Sequence, residues 1–466
     1  MAIQSRFIIL LSIFFLYACG TESNLEGEHS PEAADSEGVH LSRRGVLLLK
    51  QGQPRKALVA LREAAVRLPG RASVHFNLGL AHVRLGEHRL AIPPFQQAVA
   101  LDSLNASFHF VLGDALSAEH RDPEAVSQYQ RAIDLDPKQA LYYYQLGKSL
   151  RATAAFDGAI AAFDAALALD AGFEDALYHR SELLARSNRA AEAEAGYKKL
   201  LQLAPRHVAA LIDLAGLQTQ GGRHGEAIAS LRQALAHDPR HVQAQYLLYQ
   251  ALNRVAKVDE AAAALKAYQR LSSAKRHYDQ GQIYLRKKDG EQAAESFSKA
   301  IENDSTFVDA YLSLCVVRLK TKDLENARRL LEKVLALETA HAEAYTLLGE
   351  VHLMEREFDA AREAFARAVA LDSTQVRATF GLGRAFLLTG EYQKAIGPLT
   401  QTIEWAPLRL PIYVEAHYTL AMVQIKRKNF AAARDYLKKV LELNPDYPNA
   451  AAKLARLEST IAAAKN

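Results

Sequence analysis

Cysteine is almost missing from this chain of 466 residues, which contains only Cys19 and Cys315. A disulfide framework is therefore excluded, because only one cysteine remains in the part of the chain that follows Cys19. Cys315 falls at a position where other segments of the chain carry a small residue. We expect it to be a buried packing residue, with a reactive thiol as the alternative.

Short catalytic signatures are also missing. The sequence has no H-E-x-x-H, C-x-x-C or G-x-S-x-G motif and no Walker loop, which carry zinc, redox, acyl-transfer and phosphate chemistry. The 16 histidines fall at different helical positions or in different segments, so they do not form a ligand set by spacing. We predict that the protein is not an enzyme and holds neither a metal nor a cofactor.

What the chain does have is a period of 34 residues marked by alanine. Twelve alanines keep this spacing, apart from a step of 32 residues before Ala293 and a step of 38 before Ala433. They are Ala57, Ala91, Ala125, Ala159, Ala193, Ala227, Ala261, Ala293, Ala327, Ala361, Ala395 and Ala433. A fixed period of this length predicts a stack of similar units, in place of the roughly three globular domains that the length alone suggests.

Other residue types keep step with the alanines. Glycine or another small residue lies twelve residues before the alanine, and a large side chain lies four residues after it, as Gly79 and Phe95 do around Ala91. Proline lies twelve residues after the alanine in half of the units, as at Pro137 and Pro205. A small residue lets a second helix approach, the large residue fills the groove between the helices, and proline ends the second helix. The pattern predicts two packed helices in each unit.

This pattern resembles the tetratricopeptide repeat family, whose signature combines W-x2-L-G-x2-Y, A-x3-F and P at this period. The resemblance covers residues 38–447 and implies an all-α, right-handed superhelical solenoid of about twelve helix-turn-helix repeats. Residues 448–466 are interpreted as the capping helix that such arrays require. The two unequal steps predict irregular joints near residues 272 and 408, both candidate hinges. We expect two separate helices between Ala261 and Arg286.

The first residues differ from the rest of the chain. An apolar run from Phe7 to Ala18 follows a single charge at Arg6 and is too short to span a bilayer as a helix. Residues 1–18 are typical of a secretory signal peptide. Their end, L-Y-A followed by Cys19 and glycine, resembles a bacterial lipobox. The resemblance implies cleavage before Cys19 and lipidation of this cysteine, with an uncleaved anchor or a plain secretory signal as alternatives.

Residues 19–37 contain six acidic side chains and no lysine or arginine. Such a segment has too little apolar surface to fold, so we predict an acidic flexible tether between the lipid and the array. Gly20, after the lipidated cysteine, favours the outer membrane under enterobacterial sorting. We therefore expect a lipid-anchored protein of the bacterial cell envelope that faces the periplasm. Nucleic acid is not an expected partner of an exported protein, although the net charge of the chain is +4.

The resemblance places the first helix of each unit on the concave face of the array. The fifth position of these helices predicts an aromatic ladder that binds a partner, formed by Phe76, Phe110, Tyr144, Tyr178, Tyr246, Tyr278, Phe380 and Tyr418. The thirteenth position adds cations that can pair with carboxylates. These cations are Arg84, Arg186, Arg254, Arg286, Lys320 and Lys426.

Two kinds of ligand suit such a groove. An extended peptide would pack apolar side chains on the rings, and an anionic polysaccharide would stack its sugars there. A third interpretation is that these positions simply keep the default residues of the family. The carboxylate clamp that reads chaperone C-termini is not expected, because the ninth position carries residues such as Asp114 and Lys148 where the clamp has paired asparagines.

Taken together, the patterns predict a non-catalytic scaffold that recruits other proteins to an envelope assembly or secretion complex. The array is long enough to hold more than one partner. The alternative is a periplasmic scaffold that binds polysaccharide during exopolysaccharide export. In both cases the membrane is contacted only through the lipid anchor.

Overall fold

A computed structural model describes residues 36–406 and 410–463 of the chain. Every regular element in these two ranges is an α-helix, and they contain no strand. The predicted signal peptide, Cys19 and most of the tether lie outside the described residues. So do residues 407–409, at the irregular joint near 408, and residues 464–466 at the end of the chain.

Twenty-four helices follow one another through the described residues. The first twelve are α1 (Ser36–Lys50), α2 (Pro54–Arg67), α3 (Ala72–Arg84), α4 (His88–Leu101), α5 (Ala106–Ala118), α6 (Asp122–Leu135), α7 (Ala140–Ala152), α8 (Phe156–Leu169), α9 (Glu174–Arg186), α10 (Ala190–Leu203), α11 (Val208–Gln220) and α12 (His224–His237). The other twelve are α13 (Val242–Arg254), α14 (Val258–Arg286), α15 (Gly290–Asn303), α16 (Val308–Lys320), α17 (Leu324–Leu337), α18 (Ala342–Glu355), α19 (Phe358–Leu371), α20 (Val376–Leu388), α21 (Tyr392–Trp405), α22 (Pro411–Lys426), α23 (Phe430–Leu443) and α24 (Ala450–Ala463). Each helix packs on the one before it and the one after it, which confirms the predicted solenoid of helical pairs.

One residue in the left-handed conformation lies in the turn between the two helices of each unit. These residues recur with the period of the alanines, and their φ angles are +54° to +82°. They are Gly52, Gly86, His120, Ala154, Asn188, Gly222, Ala256, Lys288, Lys322, Arg356, Gly390 and Lys428. A left-handed residue ends a helix by redirecting the backbone, so every unit turns back at the same register.

The twelve periodic alanines are all buried, with exposed fractions of 2% or less. The glycines of the first helices face the large side chain of the second helix. A Cβ atom built on Gly79 would lie 2.4 Å from Cε1 of Phe95, and one on Gly147 would lie 2.6 Å from Cε1 of Phe163. The same close approach occurs at Gly45, Gly113, Gly281, Gly349 and Gly383. The predicted pairing of a small residue with a groove-filling residue is confirmed.

Helix α14 corrects the prediction of two helices with a joint near residue 272. It runs without a break from Val258 to Arg286, with Ser272 and Ser273 in its middle. Its first half packs with α13 and its second half with α15, so one helix belongs to both the seventh and the eighth unit. The step of 32 residues leaves too few residues for a turn here, and no proline interrupts the helix.

The array closes on itself, because α2 of the first unit contacts α21 of the eleventh. Nε of Arg55 donates a hydrogen bond to the carbonyl oxygen of Glu404 at 3.1 Å, and its Nη2 donates to the carbonyl oxygen of Ala406. The guanidinium group lies over the ring of Tyr413, 5.2 Å from the ring centroid. A single arginine therefore joins α2 to the end of α21 and the start of α22.

Two further interactions support this closure. Indole Nε1 of Trp405 donates to the carbonyl oxygen of Gly52 at 3.2 Å. Nζ of Lys56 lies 3.6 Å from Oε1 of Glu404, whose side chain is 5% exposed. We use the name closing contact for the set Gly52, Arg55, Lys56, Glu404, Trp405 and Tyr413.

Helix α24 covers the end of the last unit. Leu457 is buried against Leu437 and Val440 of α23, while Nζ of Lys438 lies 3.3 Å from Oε1 of Glu458 at the edge of the contact. The described helices include none with the length and apolar character needed to cross a membrane.

Candidate partner-binding face

The first helices of neighbouring units line the concave side of the array. Helix α1 contacts α3, α16 contacts α18, and α18 contacts α20, whereas the second helices contact mainly their neighbours in the chain. Helices that crowd together in this way lie on the inside of a curved stack. The side chains predicted to bind a partner belong to this inner row.

Four aromatic residues of the predicted ladder are buried in the packing between units. Phe76, Phe110, Tyr144 and Phe380 are 4% to 8% exposed. The ring of Phe76, for example, lies 4.9 Å from the ring of Phe108, at the start of the next unit. These four side chains join one unit to the next, so the predicted continuous ladder is corrected at these positions.

The other four aromatic residues reach the concave surface to different extents. Tyr178, Tyr278 and Tyr418 are half-buried, and Tyr246 is 38% exposed. The hydroxyl of Tyr178 donates to Oδ2 of Asp213 at 3.0 Å, which fixes this ring in a polar network. Tyr246 is therefore the most accessible member of the predicted ladder.

Tyr246 belongs to a group of three rings in the seventh unit. Its centroid lies 6.2 Å from that of Tyr249 and 5.0 Å from that of Tyr268. Both neighbours occupy positions where most other units carry a glycine or alanine, and both are half-buried. Because bulky rings replace the small residues that let the two helices approach, the third ring is held towards solvent. We call Tyr246, Tyr249 and Tyr268 the tyrosine cluster.

All six predicted cations lie at or near the last turn of a first helix, and all are exposed. Nη2 of Arg186 lies 2.8 Å from Oε1 of Glu182. Positive side chains at a helix C-terminus also stabilise the helix dipole, so part of this pattern serves the helices themselves. These six are Arg84, Arg186, Arg254, Arg286, Lys320 and Lys426.

A row of charged residues at the ninth position was not predicted as part of the site. Asp114 accepts a hydrogen bond from the hydroxyl of Tyr129 at 2.7 Å, and burial raises the pKa of its carboxyl to about 7. Burial lowers the pKa of Lys148, and Glu182 accepts a hydrogen bond from Arg151 at 2.9 Å. The three residues are 34 positions apart with alternating charge, a signal that the repeat alignment already contains.

One cluster has the composition of a cation site, in the tenth unit. Nδ1 of His352 lies 2.6 Å from Oε2 of Glu357, and a carboxylate oxygen of Glu355 is close to both. The guanidinium of Arg328 binds both carboxylates, so it already supplies positive charge to them. The group is accounted for as an ion-pair network between neighbouring units.

Models of tetratricopeptide repeats match most of the chain. The family described as tetratricopeptide repeat matches residues 43–103, 144–208, 187–239, 212–276 and 256–306, and the one described as TPR repeat matches residues 121–153. The C-terminal ARM domain of tetratricopeptide repeat protein 21 matches residues 286–454. Comparison with curated protein sequences gives no match.

Several solved structures resemble parts of the chain. The MamA protein is 28% identical over 37% of this chain and 92% of its own, with a TM-score of 0.33. The pilF protein of Pseudomonas aeruginosa is 21% identical over 47% of this chain and 100% of its own, with a TM-score of 0.40. The APC/C hetero-tetramer Cut9–Hcn1 is 16% identical over 91% of this chain and 97% of that one, with a TM-score of 0.38.

Proposed function

The chain is a tetratricopeptide repeat solenoid, and we propose that it is a non-catalytic scaffold whose concave face binds extended segments of other proteins. Its lipidated Cys19 anchors it to the bacterial cell envelope, on the periplasmic side of the outer membrane. There it recruits partners to an assembly or secretion complex. The repeats support the scaffold, and the N-terminal sequence supports the anchor.

The tyrosine cluster is the observation that carries this proposal. Tyrosine places a large, rigid surface in contact with a partner at a low cost in conformational entropy, and it is enriched at the centres of protein interfaces. In other units the fifth-position ring is buried between units, whereas Tyr246 is exposed beside two partly accessible rings. A partner therefore finds its most concentrated aromatic surface at the seventh unit.

Photo-crosslinking in the native cell tests the scaffold. A photoreactive residue in place of Tyr246 is expected to capture a discrete protein, identified by mass spectrometry. The same residue at Val66, which is 81% exposed on α2, is the matched control and should not yield that adduct. Glycan adducts alone at position 246 would replace the protein partner with a polysaccharide, and equal capture at both positions would refute a specific site on the concave face.

Fractionation tests the lipid anchor. A Cys19→Ser variant should lose incorporation of labelled fatty acid and move from the membrane fraction to the soluble fraction, because its lipidation site is gone. Cys315→Ala is the control, since Cys315 is fully buried and burial raises the pKa of its thiol to about 12. Membrane retention of Cys19→Ser without fatty acid would instead indicate an uncleaved apolar anchor.

A further inference from the structure

A recurring hydrogen bond ties the start of each first helix to the turn before it. The fourth residue of the helix repeat bonds the carbonyl oxygen of the residue six positions earlier, at distances of 2.9 to 3.4 Å. The five pairs are His75 with Pro69, His109 with Ser103, Gln245 with Pro239, Tyr311 with Ser305, and Tyr345 with Thr339. The position thus satisfies a polar side chain and a turn carbonyl together.

His417 occupies the same position in the twelfth unit but lacks this bond. Helix α22 begins three residues earlier in its repeat than the other first helices, at Pro411, so the carbonyl six positions before His417 is inside the helix. There it serves the helical hydrogen bonds. His417 is 7% exposed, and neither ring nitrogen has a hydrogen-bond partner. Its ring packs edge-on against Tyr413, with 4.8 Å between the centroids.

A second buried polar atom without a partner lies in the closing contact. Glu404 is 4% exposed, and its Oε2 accepts no hydrogen bond, while its Oε1 faces Lys56. In the described residues, His417 and Glu404 account for all but one of the buried side-chain atoms of this kind. Native interiors satisfy nearly all such atoms, so this concentration marks a contact that has not been optimised for permanent closure.

The charges around His417 oppose its protonation. It faces Tyr436, Lys439 and Glu442 of α23 and Arg55 of α2, and Tyr413 of its own helix. Glu404 of α21 acts on Tyr413 from the other side of the contact. Burial, followed by the positive charges of Lys439 and Arg55, lowers the pKa of His417 to about 4.

We propose that the closing contact is a reversible latch, closed while His417 is neutral and opened when His417 takes up a proton. A proton on this ring places a third positive charge beside Arg55 and Lys439, with no acceptor for either ring N–H. Separation of α2 from α21 and α22 removes Arg55 and admits water. Opening frees the first unit and exposes the concave face from the side, and the latch exists whether or not that face binds a partner.

The direction of the pH effect follows from linkage. A histidine in water has a pKa of about 6.5, so the open form binds the proton more tightly than the closed form. The stability of the closed form is full above this value and is lost as the pH falls towards about 4. At pH 5 the ratio of open to closed molecules should rise by about 30-fold relative to neutral pH.

Trp405, the only tryptophan of the chain, lies in the closing contact and reports its state directly. In the full-length chain, lowering the pH from about 7.5 to about 5 should shift its fluorescence to longer wavelength and increase quenching by acrylamide. Small-angle scattering should show a larger maximum dimension over the same range. Unchanged fluorescence and dimension would refute the latch.

Three variants separate the latch from general acid effects. His417→Phe keeps the packing between the tyrosine rings and should remove the pH response, while Arg55→Ala should give the open signal at both pH values. His109→Phe is the matched control, because His109 has the same repeat position with both ring nitrogens bonded, and it should keep the response. A response that survives in His417→Phe, or an Arg55→Ala variant that stays closed, would overturn the proposal.

Discussion

A Gly147→Ala substitution is expected to destabilise the fourth unit by about 2 kcal/mol, although alanine is the better helix former. The new Cβ would lie 2.6, 2.8 and 3.0 Å from three ring atoms of Phe163. That ring is fully buried and packs against Tyr144, so it has no space into which to move. Overpacking of this kind costs about 1–3 kcal/mol, which exceeds the gain of about 1 kcal/mol in helix propensity.

Hydrogen exchange followed by mass spectrometry measures this effect locally. Protection should fall in α7, α8 and the adjacent helices and remain unchanged in α20 and α21, because each unit contacts only its neighbours. Gly216→Ala is the control, since no atom lies within 4 Å of its added Cβ, and it should gain about 0.5–1 kcal/mol. Equal loss of protection along the whole array would contradict the nearest-neighbour view.

The sequence predicts most of the fold because the packing of each unit is local. The glycine and the large residue that it faces are 16 positions apart, as in Gly147 and Phe163, so one unit contains both partners of the contact. Repetition then makes the signal visible without any structure. The exposure of the fifth position is different, because it depends on the next unit. Phe76 is covered by Phe108, whereas Tyr246 is left exposed by the bulky side chains around it.

The features that sequence does not predict depend on distant residues. Closure joins Arg55 to Glu404 and Ala406, about 350 positions away, and it depends on the summed curvature of eleven units. The continuous helix α14 was missed for a local reason. Its two serines were interpreted as a joint by analogy with the other units, but serine does not end a helix without a further signal.

The continuous helix α14 brings together two turns that a regular unit would separate. Nε of Arg240, in the turn before α13, donates to Oδ2 of Asp304 at 2.6 Å, in the turn after α15. The guanidinium lies 4.0 Å from the ring centroid of Phe307. Burial alone would raise the pKa of Asp304, but hydrogen bonds from Thr306 and Arg240 hold it below its usual value. The pair bridges the units on either side of α14.

An Arg240→Met variant should destabilise this bridge by about 3 kcal/mol, because it leaves the carboxylate of Asp304 buried without its cation. The side chain of Asp304 is only 1% exposed, so water cannot replace the guanidinium. Arg121→Met is the matched control. Its partner Glu124 is exposed on the same helical turn, and the loss should stay below about 0.5 kcal/mol.

Thermal unfolding and hydrogen exchange at α13 to α16 measure the loss at Arg240. The loss should be full at neutral pH and shrink as the pH falls through the pKa of Asp304, since a protonated carboxyl no longer needs the cation. Adding Asp304→Asn to Arg240→Met should restore most of the stability, because an uncharged amide then occupies the buried position. If Arg240→Met costs no more than Arg121→Met, the bridge does not couple the two halves of the array across α14.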